Sequence, residues 1–156
     1  MPRITPFLWF DTQAEEAATF YTSIFPNSKI LRVARYPEGG PGPVGSVMTV
    51  EFELDGQRIT GLNGGPVFHF NESISLVIDC KDQAEVDHYW TKLIAGGGQE
   101  SACGWLKDKF GMSWQVTPTI LINLINDPDK PKAERVFKAM MDMRKIDIAT
   151  LQQAAG

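Results

Sequence analysis

The sequence predicts an α+β fold in which a strand, a helix and three further strands (βαβββ) occur twice and are followed by C-terminal helices. Two observations support this prediction. An apolar strand pattern followed by an amphipathic helix pattern occurs near the start of the chain and again about 70 residues later. A capping signal precedes both helices, and three strand patterns follow each of them. Chance likeness between generic amphipathic helices is the alternative, and the recurrence of caps and flanking strands favours a duplication.

The first module is placed at about residues 1–66. Thr12 and Glu15 have the spacing of a capping box, and the helix that follows carries one apolar face at positions 17, 20, 21, 24 and 25. Asp55-Gly56 is a strong signal for a two-residue hairpin turn. The strands of this module are expected at residues 4–10, 29–36, 46–54 and 57–62.

The second module is placed at about residues 67–118. Asp82 is the expected helix cap, and the apolar face at positions 86, 89, 90, 93 and 94 repeats the first helix. The charged run Lys107-Asp108-Lys109 is interpreted as a solvated turn. Trp90 and Trp114 are expected to pack between helix and sheet. The strands are expected at residues 73–79, 99–101, 104–107 and 112–117.

Residues 119–156 form a C-terminal tail in which helices are expected. Residues 120–125 suit a short apolar helix or strand, and Asp129 and Asp147 are candidate caps for two further helices. The helix after Asp129 has an apolar stripe that covers its own subunit or crosses to a dimer partner. The stripe consists of Ala133, Val136, Phe137, Met140 and Met141.

Two modules side by side would form a cupped, eight-stranded mixed sheet with helices outside, within a single domain of residues 1–156. Because side chains alternate between the faces of a strand, apolar residues facing the helices leave a second set facing the cup. This inner set includes Phe7, Trp9, Ser73, Ser75, Ser113 and Gln115. Inward polar groups carry a desolvation cost unless a partner or ligand satisfies them, so a binding cavity is expected.

Composition restricts the function. With 43% hydrophobic and 22% charged residues the chain is typical of a globular protein. The net charge of −4 disfavours nucleic-acid binding. No apolar stretch approaches the roughly 20 residues of a membrane-spanning helix. Cys80 and Cys103, together with a start that lacks the apolar segment of a secretory signal, favour a reduced, cytoplasmic protein.

Several sequence runs carry a resemblance to a known superfamily. They are residues 6–11 (PFLWFD), 14–17, 20–21, 62–66 (LNGGP), 68–71 (FHFN), 103–108 (CGWLKD), 110–115 (FGMSWQ) and 139–148 (AMMDMRKIDI). The chain resembles the vicinal oxygen chelate superfamily of glyoxalases, bleomycin-resistance proteins and extradiol dioxygenases. Within it, the chain is similar to the PhnB-like branch labelled "3-demethylubiquinone-9 3-methyltransferase". The resemblance implies paired βαβββ modules and a homodimer.

The resemblance also raises the question of a metal or a cofactor. Metal-dependent members of the superfamily use His, Gln or Glu as ligands. Two of the ligand positions correspond here to Ser73 and Gln115. The third falls near residues 4–6, a segment that contains no ligand residue. Neutral hydroxyl and amide groups do not offset a divalent charge, so no resident metal is expected. The family label implies S-adenosylmethionine, but no glycine-rich turn opens either predicted helix, so no cofactor is predicted.

The favoured function is therefore binding of a small organic molecule in a metal-free cup. The alternatives are an enzyme acting on a small aromatic or quinone-like substrate, or a metal-dependent lyase or isomerase. His69 as a base and Cys103 as a nucleophile are catalytic candidates, although a hydrogen-bonded surface histidine and a structural thiol explain them as well. The candidate binding residues are Phe7, Trp9, Asn63, Phe68, Phe70, Ser73, Ser75, Trp105, Ser113 and Gln115.

Overall fold

A computed structural model describes residues 4–156 of the 156-residue chain. Residues 1–3, where the sequence places the start of the first module, lie outside the described part. The chain divides into two compact units, one ending at Phe70 and the other comprising Asn71–Gly156. The division falls slightly after the expected module boundary at residue 66, and the C-terminal tail belongs to the second unit.

The first unit has the predicted order of one strand, one helix and three strands. Its strand order is β1-β4-β3-β2, with β1 parallel to β4 and the other neighbours antiparallel. Asp55 (φ 45°) and Gly56 (φ 86°) form the expected hairpin turn between β3 and β4. The elements are β1 (Phe7–Phe10), α1 (Ala14–Ile24), β2 (Lys29–Arg35), β3 (Val47–Leu54) and β4 (Gln57–Asn63).

The second unit repeats this order and then adds the helical tail. Its strand order, β5-β8-β7-β6, matches the first unit strand for strand, with β5 parallel to β8. The α+β class and the duplicated βαβββ module are thus confirmed, and the predicted eight strands form two four-stranded sheets. The elements are β5 (Ser75–Cys80), α2 (Gln83–Ile94), β6 (Gln99–Glu100), β7 (Trp105–Lys107), β8 (Ser113–Pro118), α3 (Thr119–Ile125), α4 (Lys130–Met141) and α5 (Ile148–Ala155). Among residues 4–156, no helix has both the length and the apolar character to cross a membrane.

Helix α1 packs on one face of the first sheet, mainly against β3 and β4. Helix and strand lie close together at Gly61, where an added Cβ would lie 3.2 Å from the Cβ of Ala14. Because Gly61 has no side chain and Ala14 has only a methyl group, α1 and β4 can approach each other closely here. The buried residues of this layer are Leu8, Phe10, Ala14, Ala17, Ala18, Tyr21, Ile24, Val50, Phe52, Leu54 and Ile59.

Helix α2 packs in the same way on β7 and β8. Trp90 and Trp114 are buried between helix and sheet, as predicted. Cys80 is also fully buried, and desolvation, followed by the nearby carboxylates, raises the pKa of its thiol to about 12. The remaining buried residues of this layer include Ile78, Val86, Leu93, Leu106 and Val116.

The tail has a small core of its own, built from Leu121, Val136, Ile146, Leu151 and Ala155. Two backbone hydrogen bonds connect it to the β6–β7 connection: the Cys103 N–H donates to the Met143 carbonyl (2.8 Å) and the Gly104 N–H to the Arg144 carbonyl (2.7 Å). Both donors have left-handed backbone, with φ of 59° and 84°. A Cβ at Gly104 would lie 3.0 Å from the Ile146 side chain, so glycine suits this position sterically as well.

The N-terminus of α1 differs from the sequence prediction. Gln13, not Thr12, occupies the cap position, and it makes no side-chain cap hydrogen bond. Instead the Ala14 N–H donates to Oδ1 of Asn63, at the end of β4 (2.8 Å). The other end of the Asn63 amide donates to the Val47 carbonyl (3.1 Å), so one side chain connects α1, β3 and β4. By contrast, Asp82, Asp129 and Asp147 cap their helices as predicted.

The turn before β8 is also not the solvated stretch that the sequence predicted. Asp108 is only 3% exposed. Its Oδ1 accepts hydrogen bonds from the backbone N–H groups of Phe110 (2.9 Å) and Met112 (3.1 Å). Its Oδ2 accepts from the indole N–H of Trp114 (2.8 Å). The carboxylate is buried because three donors within the turn and the following strand satisfy it.

The first prediction tests the cap supplied by β4. Asn63→Ala removes the acceptor for the Ala14 N–H and the donor to the Val47 carbonyl, so the free energy of unfolding should fall by about 1–2 kcal/mol. Thr12→Ala is the matched control and should change it by less than about 0.5 kcal/mol. Urea denaturation measures both. If Thr12→Ala lowered the free energy of unfolding strongly and Asn63→Ala did not, the result would contradict this cap and support the local capping box of Thr12 and Glu15.

The second prediction concerns the buried carboxylate of Asp108. Asp108→Asn replaces one acceptor oxygen with an NH₂ group that faces an N–H donor, and should lower the free energy of unfolding by about 1–3 kcal/mol. Denaturation followed by tryptophan fluorescence measures the change. The control is Asp142→Asn at the exposed end of α4, for which a change below about 0.5 kcal/mol is expected. Equal stability of the two variants would contradict this role.

Candidate functional site

The sheet face of the second unit that points away from α2 carries several polar side chains, together with Trp105 and Val77. Residues paired directly across neighbouring strands share a face, and the register pairs Ser113 with both Ser75 and Lys107, and Gln115 with Trp105. Their sequence neighbours Leu106, Trp114 and Val116 point the other way and are buried against the α2 side. Strand alternation therefore brings together four residues that the sequence analysis selected: Ser75, Trp105, Ser113 and Gln115.

Two side chains on this face satisfy each other. The Gln115 amide Nε2 donates to Oγ of Ser75 (2.8 Å). Ser73 lies before β5 and is exposed, and both its backbone N–H (2.9 Å) and its hydroxyl (2.5 Å) donate to Oδ1 of Asn71. The serine that contacts Gln115 is thus Ser75 rather than Ser73.

Ser113 has no such partner. The residue is 1% exposed, and within residues 4–156 no hydrogen-bond partner reaches its hydroxyl oxygen. The residue lines a cavity of about 150 Å³ at the β6–β7 side of the sheet. The lining consists of Glu72, Gln99, Glu100, Ser101, Trp105, Leu106, Lys107 and Ser113. An unsatisfied buried hydroxyl costs about 1–3 kcal/mol, and Ser113 is among the residues that line the cavity, so a hydrogen-bonding partner at this place would stabilise it.

The same cavity contains an ion pair. The Lys107 ammonium contacts the Glu72 carboxylate. The hydrogen bond from Lys107, followed by one from the backbone, lowers the pKa of Glu72 below its ordinary value. The second carboxylate of the lining, Glu100, accepts a hydrogen bond from the indole N–H of Trp90 (2.9 Å), a residue of the helix layer.

The aromatic candidates of the first unit divide into two groups. Trp9 donates its indole N–H to the Gly65 carbonyl (2.9 Å), and its ring meets Phe68 edge to face at 4.9 Å. Phe70 instead packs edge to face on Phe10, a core residue, at 5.1 Å. Phe7 is 59% exposed. Trp9 and Phe68 therefore form a pair, whereas Phe70 belongs to the side of the sheet that carries the core.

Asn63 lines a different cavity, of about 530 Å³, at the N-terminus of α1. Both the oxygen and the nitrogen of its side-chain amide are hydrogen-bonded in the cap described above. Its backbone carbonyl accepts a hydrogen bond from the Tyr36 hydroxyl (2.5 Å). The residue joins the strands and the helix of the first unit, and we assign it this structural role.

The two catalytic candidates lie in different units. His69 is exposed in the segment after β4. Cys103 is partly buried in the second unit, with its Sγ 3.6 Å from Sδ of Met141. Among the described residues, His, Cys, Asp and Glu side chains form no group of three or more that could hold a metal ion.

Sequence reasoning missed Lys107 and Glu72. The signal for Lys107 was present, because it lies two residues after Trp105 on a strand and so shares the face of that residue. It was overlooked because Lys107 was grouped with the charged turn that follows. Glu72 has no such signal, since it lies in a turn before β5 and reaches Lys107 only through the tertiary fold.

Comparisons with known proteins agree with this fold. The model of the family described as 3-demethylubiquinone-9 3-methyltransferase matches residues 2–117. The tail run at residues 139–148, one of those that carry the resemblance, lies beyond that match. No curated protein matches the chain.

Solved structures extend the comparison. A PhnB protein from Bacillus cereus is 37% identical, with 76% of this chain and 100% of that chain covered and a TM-score of 0.69. A protein from Pseudomonas aeruginosa is 18% identical, with 76% and 98% covered and a TM-score of 0.58.

The fosfomycin resistance protein FosX from Listeria monocytogenes, complexed with Mn(II) and sulfate, is 13% identical, with 72% and 86% covered and a TM-score of 0.50. At such low identity this protein and the one from Pseudomonas aeruginosa show the shared fold alone. Three observations point to the same family: the length of the match to the family model, the likeness to the PhnB protein and the repeated βαβββ topology. The chain belongs to the 3-demethylubiquinone-9 3-methyltransferase-like family, the PhnB-like branch of the vicinal oxygen chelate superfamily.

Proposed function

We propose that this protein binds a small organic molecule on the sheet face of its second unit that points away from α2, without a resident metal ion. The observation that carries the proposal is the buried, unpartnered hydroxyl of Ser113 at the wall of a cavity. A ligand atom that hydrogen-bonds to this hydroxyl would remove its desolvation cost. The membership of a superfamily that includes small-molecule-binding proteins supports the same proposal.

The size and lining of the cavity indicate what enters it. A volume of about 150 Å³ is comparable to that of engineered protein cavities that hold one benzene molecule. Trp105 supplies an aromatic wall, and Ser113, with the Ser75 and Gln115 pair on the same face, supplies polar groups. This combination of an apolar wall and a few polar groups is typical of small-molecule sites. A larger ligand would place one ring or polar group in the cavity and extend beyond it.

The available donor atoms do not suit a divalent cation. At the positions where relatives in the superfamily carry ligands, this chain offers the neutral Gln115 amide, which donates to Ser75, and the Ser73 hydroxyl, which donates to Asn71. Such neutral groups provide no charge to balance a divalent ion. We therefore derive no step through a metal.

The family description is that of a methyltransferase, but S-adenosylmethionine is not part of the proposal. Nucleotide-type cofactors often lie on a glycine-rich turn between a strand and a helix. The connection before α1 (residues 11–13) and the one before α2 (residues 81–82) contain no glycine. Methyl transfer is therefore treated as an alternative outcome of the experiment below.

A thermal-shift screen tests the proposal. Small aromatic and quinone-like molecules should include at least one that raises the melting temperature, because a ligand that binds only the native state stabilises it. Ser113→Ala and Trp105→Ala should each reduce the affinity for that molecule, by roughly fivefold or more if about 1 kcal/mol is lost. The matched controls, Ser23→Ala on α1 and Phe137→Ala on α4, are exposed residues and should leave the affinity unchanged.

The same screen includes arms for the alternatives. A shift that disappears with a chelator and returns with nickel, zinc or manganese would contradict the metal-free proposal. Binding of S-adenosylmethionine would favour the methyltransferase. Absence of any shift across the screen, or equal binding by Ser113→Ala, would remove the proposal.

The family resemblance also implies a homodimer, and we include this state in the proposal. Light scattering on the full chain should give about twice the mass of one chain. A single-chain mass at micromolar concentration would contradict it.

A further inference from the structure

We infer that the molecule bound at this cavity carries a carboxylate, which takes the place of Glu72 on the ammonium group of Lys107. The inference rests on the proposed function and specifies the class of ligand. It draws on three features of the cavity: the positions of the two ion-pair partners, the charges of the lining, and the free hydroxyl of Ser113.

Lys107 and Glu72 are held differently. Lys107 lies on β7 directly opposite Ser113, so the backbone hydrogen bonds of the sheet fix the base of its side chain. Glu72 lies in a turn before β5. The side chain of Lys107 is 35% exposed and that of Glu72 is 60% exposed. Both residues line the cavity, but Lys107 is anchored on a strand, whereas the more exposed side chain of Glu72 starts from a turn and can move toward water more readily.

Within the described residues, one positive and two negative charges line the cavity, so an anion binds here only by taking the place of Glu72 on the positive charge. Among the described residues that line the cavity, Lys107 carries the one positive charge. Of the two carboxylates, Glu100 accepts the indole N–H of Trp90, and Glu72 is the one that pairs with Lys107. A cationic guest would compete with Lys107, which is anchored on the sheet, for the Glu72 carboxylate. An anionic guest needs only to displace Glu72.

A carboxylate would gain more from the site than Glu72 does. Glu72 contacts the ammonium group, while the Ser113 hydroxyl within residues 4–156 has no partner. A small carboxylate inside the cavity has two oxygens, one for the Lys107 ammonium and one for the Ser113 O–H. Hydrogen bonds to an ionised acceptor are stronger than neutral ones, and exposed ion pairs contribute little, so the exchange favours the guest.

Benzoate and its neutral isostere benzamide are suitable probes, because a single ring matches the cavity volume. Their binding to the full chain is followed by NMR titration, which suits an affinity of about 1 mM for so small a molecule. Benzoate should bind more tightly than benzamide. Glu72→Gln should raise the affinity for benzoate by about two- to fivefold, since the internal competitor is removed, and leave benzamide unchanged. Lys107→Gln should abolish the preference for benzoate.

The first unit offers a matched control. Arg32 and Glu51 form a comparable exposed ion pair at 2.6 Å. Glu51→Gln should not change the affinity for benzoate, so an equal gain in this variant would show a general charge effect and overturn the inference. Circular dichroism of each variant checks that the fold is retained.

The remaining outcomes separate this inference from the proposed function. Equal binding of benzoate and benzamide, both weakened by Ser113→Ala, would overturn the carboxylate and leave the site in place. Tighter binding of benzylammonium, lost in Glu72→Gln, would overturn it in favour of a cationic ligand. If benzoate binds neither the wild type nor Glu72→Gln, the inference is wrong, while a screened molecule whose binding needs Ser113 would still support the proposed function.

Discussion

Each four-stranded sheet in this chain carries its helix on one face, and this constraint determines where the candidate site lies. In the second unit the face toward α2 holds Leu106, Trp114 and Val116, which bury apolar area and stabilise the unit. The alternate positions on the same strands point away from α2 and do not pack against it. They hold serine, glutamine, lysine, a tryptophan and a valine, and the unpartnered Ser113 is among them.

Most of the fold could be predicted because its signals are local and periodic. The helix faces, the Asp55-Gly56 turn and the repeated order of elements all follow from spacings of a few residues. The predictions were wrong where a hydrogen-bond partner is distant in sequence or is not recognisable from the local pattern. The cap of α1 comes from Asn63, 49 positions away from Ala14, and no local pattern reports it. Asp108 is buried although lysines flank it, because its three donors come from the turn and strand that follow.

The candidate site shows the same division. Alternation along β5 and β8 predicted that Ser75, Ser113 and Gln115 share one face, and the register of β7 adds Trp105 to it. It could not indicate which polar groups pair with each other. Only the fold shows that Gln115 and Ser75 satisfy each other while Ser113 is left without a partner among residues 4–156. The Lys107 and Glu72 pair likewise depends on a turn whose position the sequence does not specify.

The left-handed backbone at Cys103 and Gly104 connects the second module to the C-terminal helical tail. Their N–H groups point to carbonyls at residues 143 and 144, well past residue 117, where the family match stops. A chain truncated after β8 would leave both donors without these acceptors and remove Ile146 from its place beside Gly104. The segment between α4 and α5 thus supplies the acceptors for this corner, which makes the helical tail an integral part of the second unit.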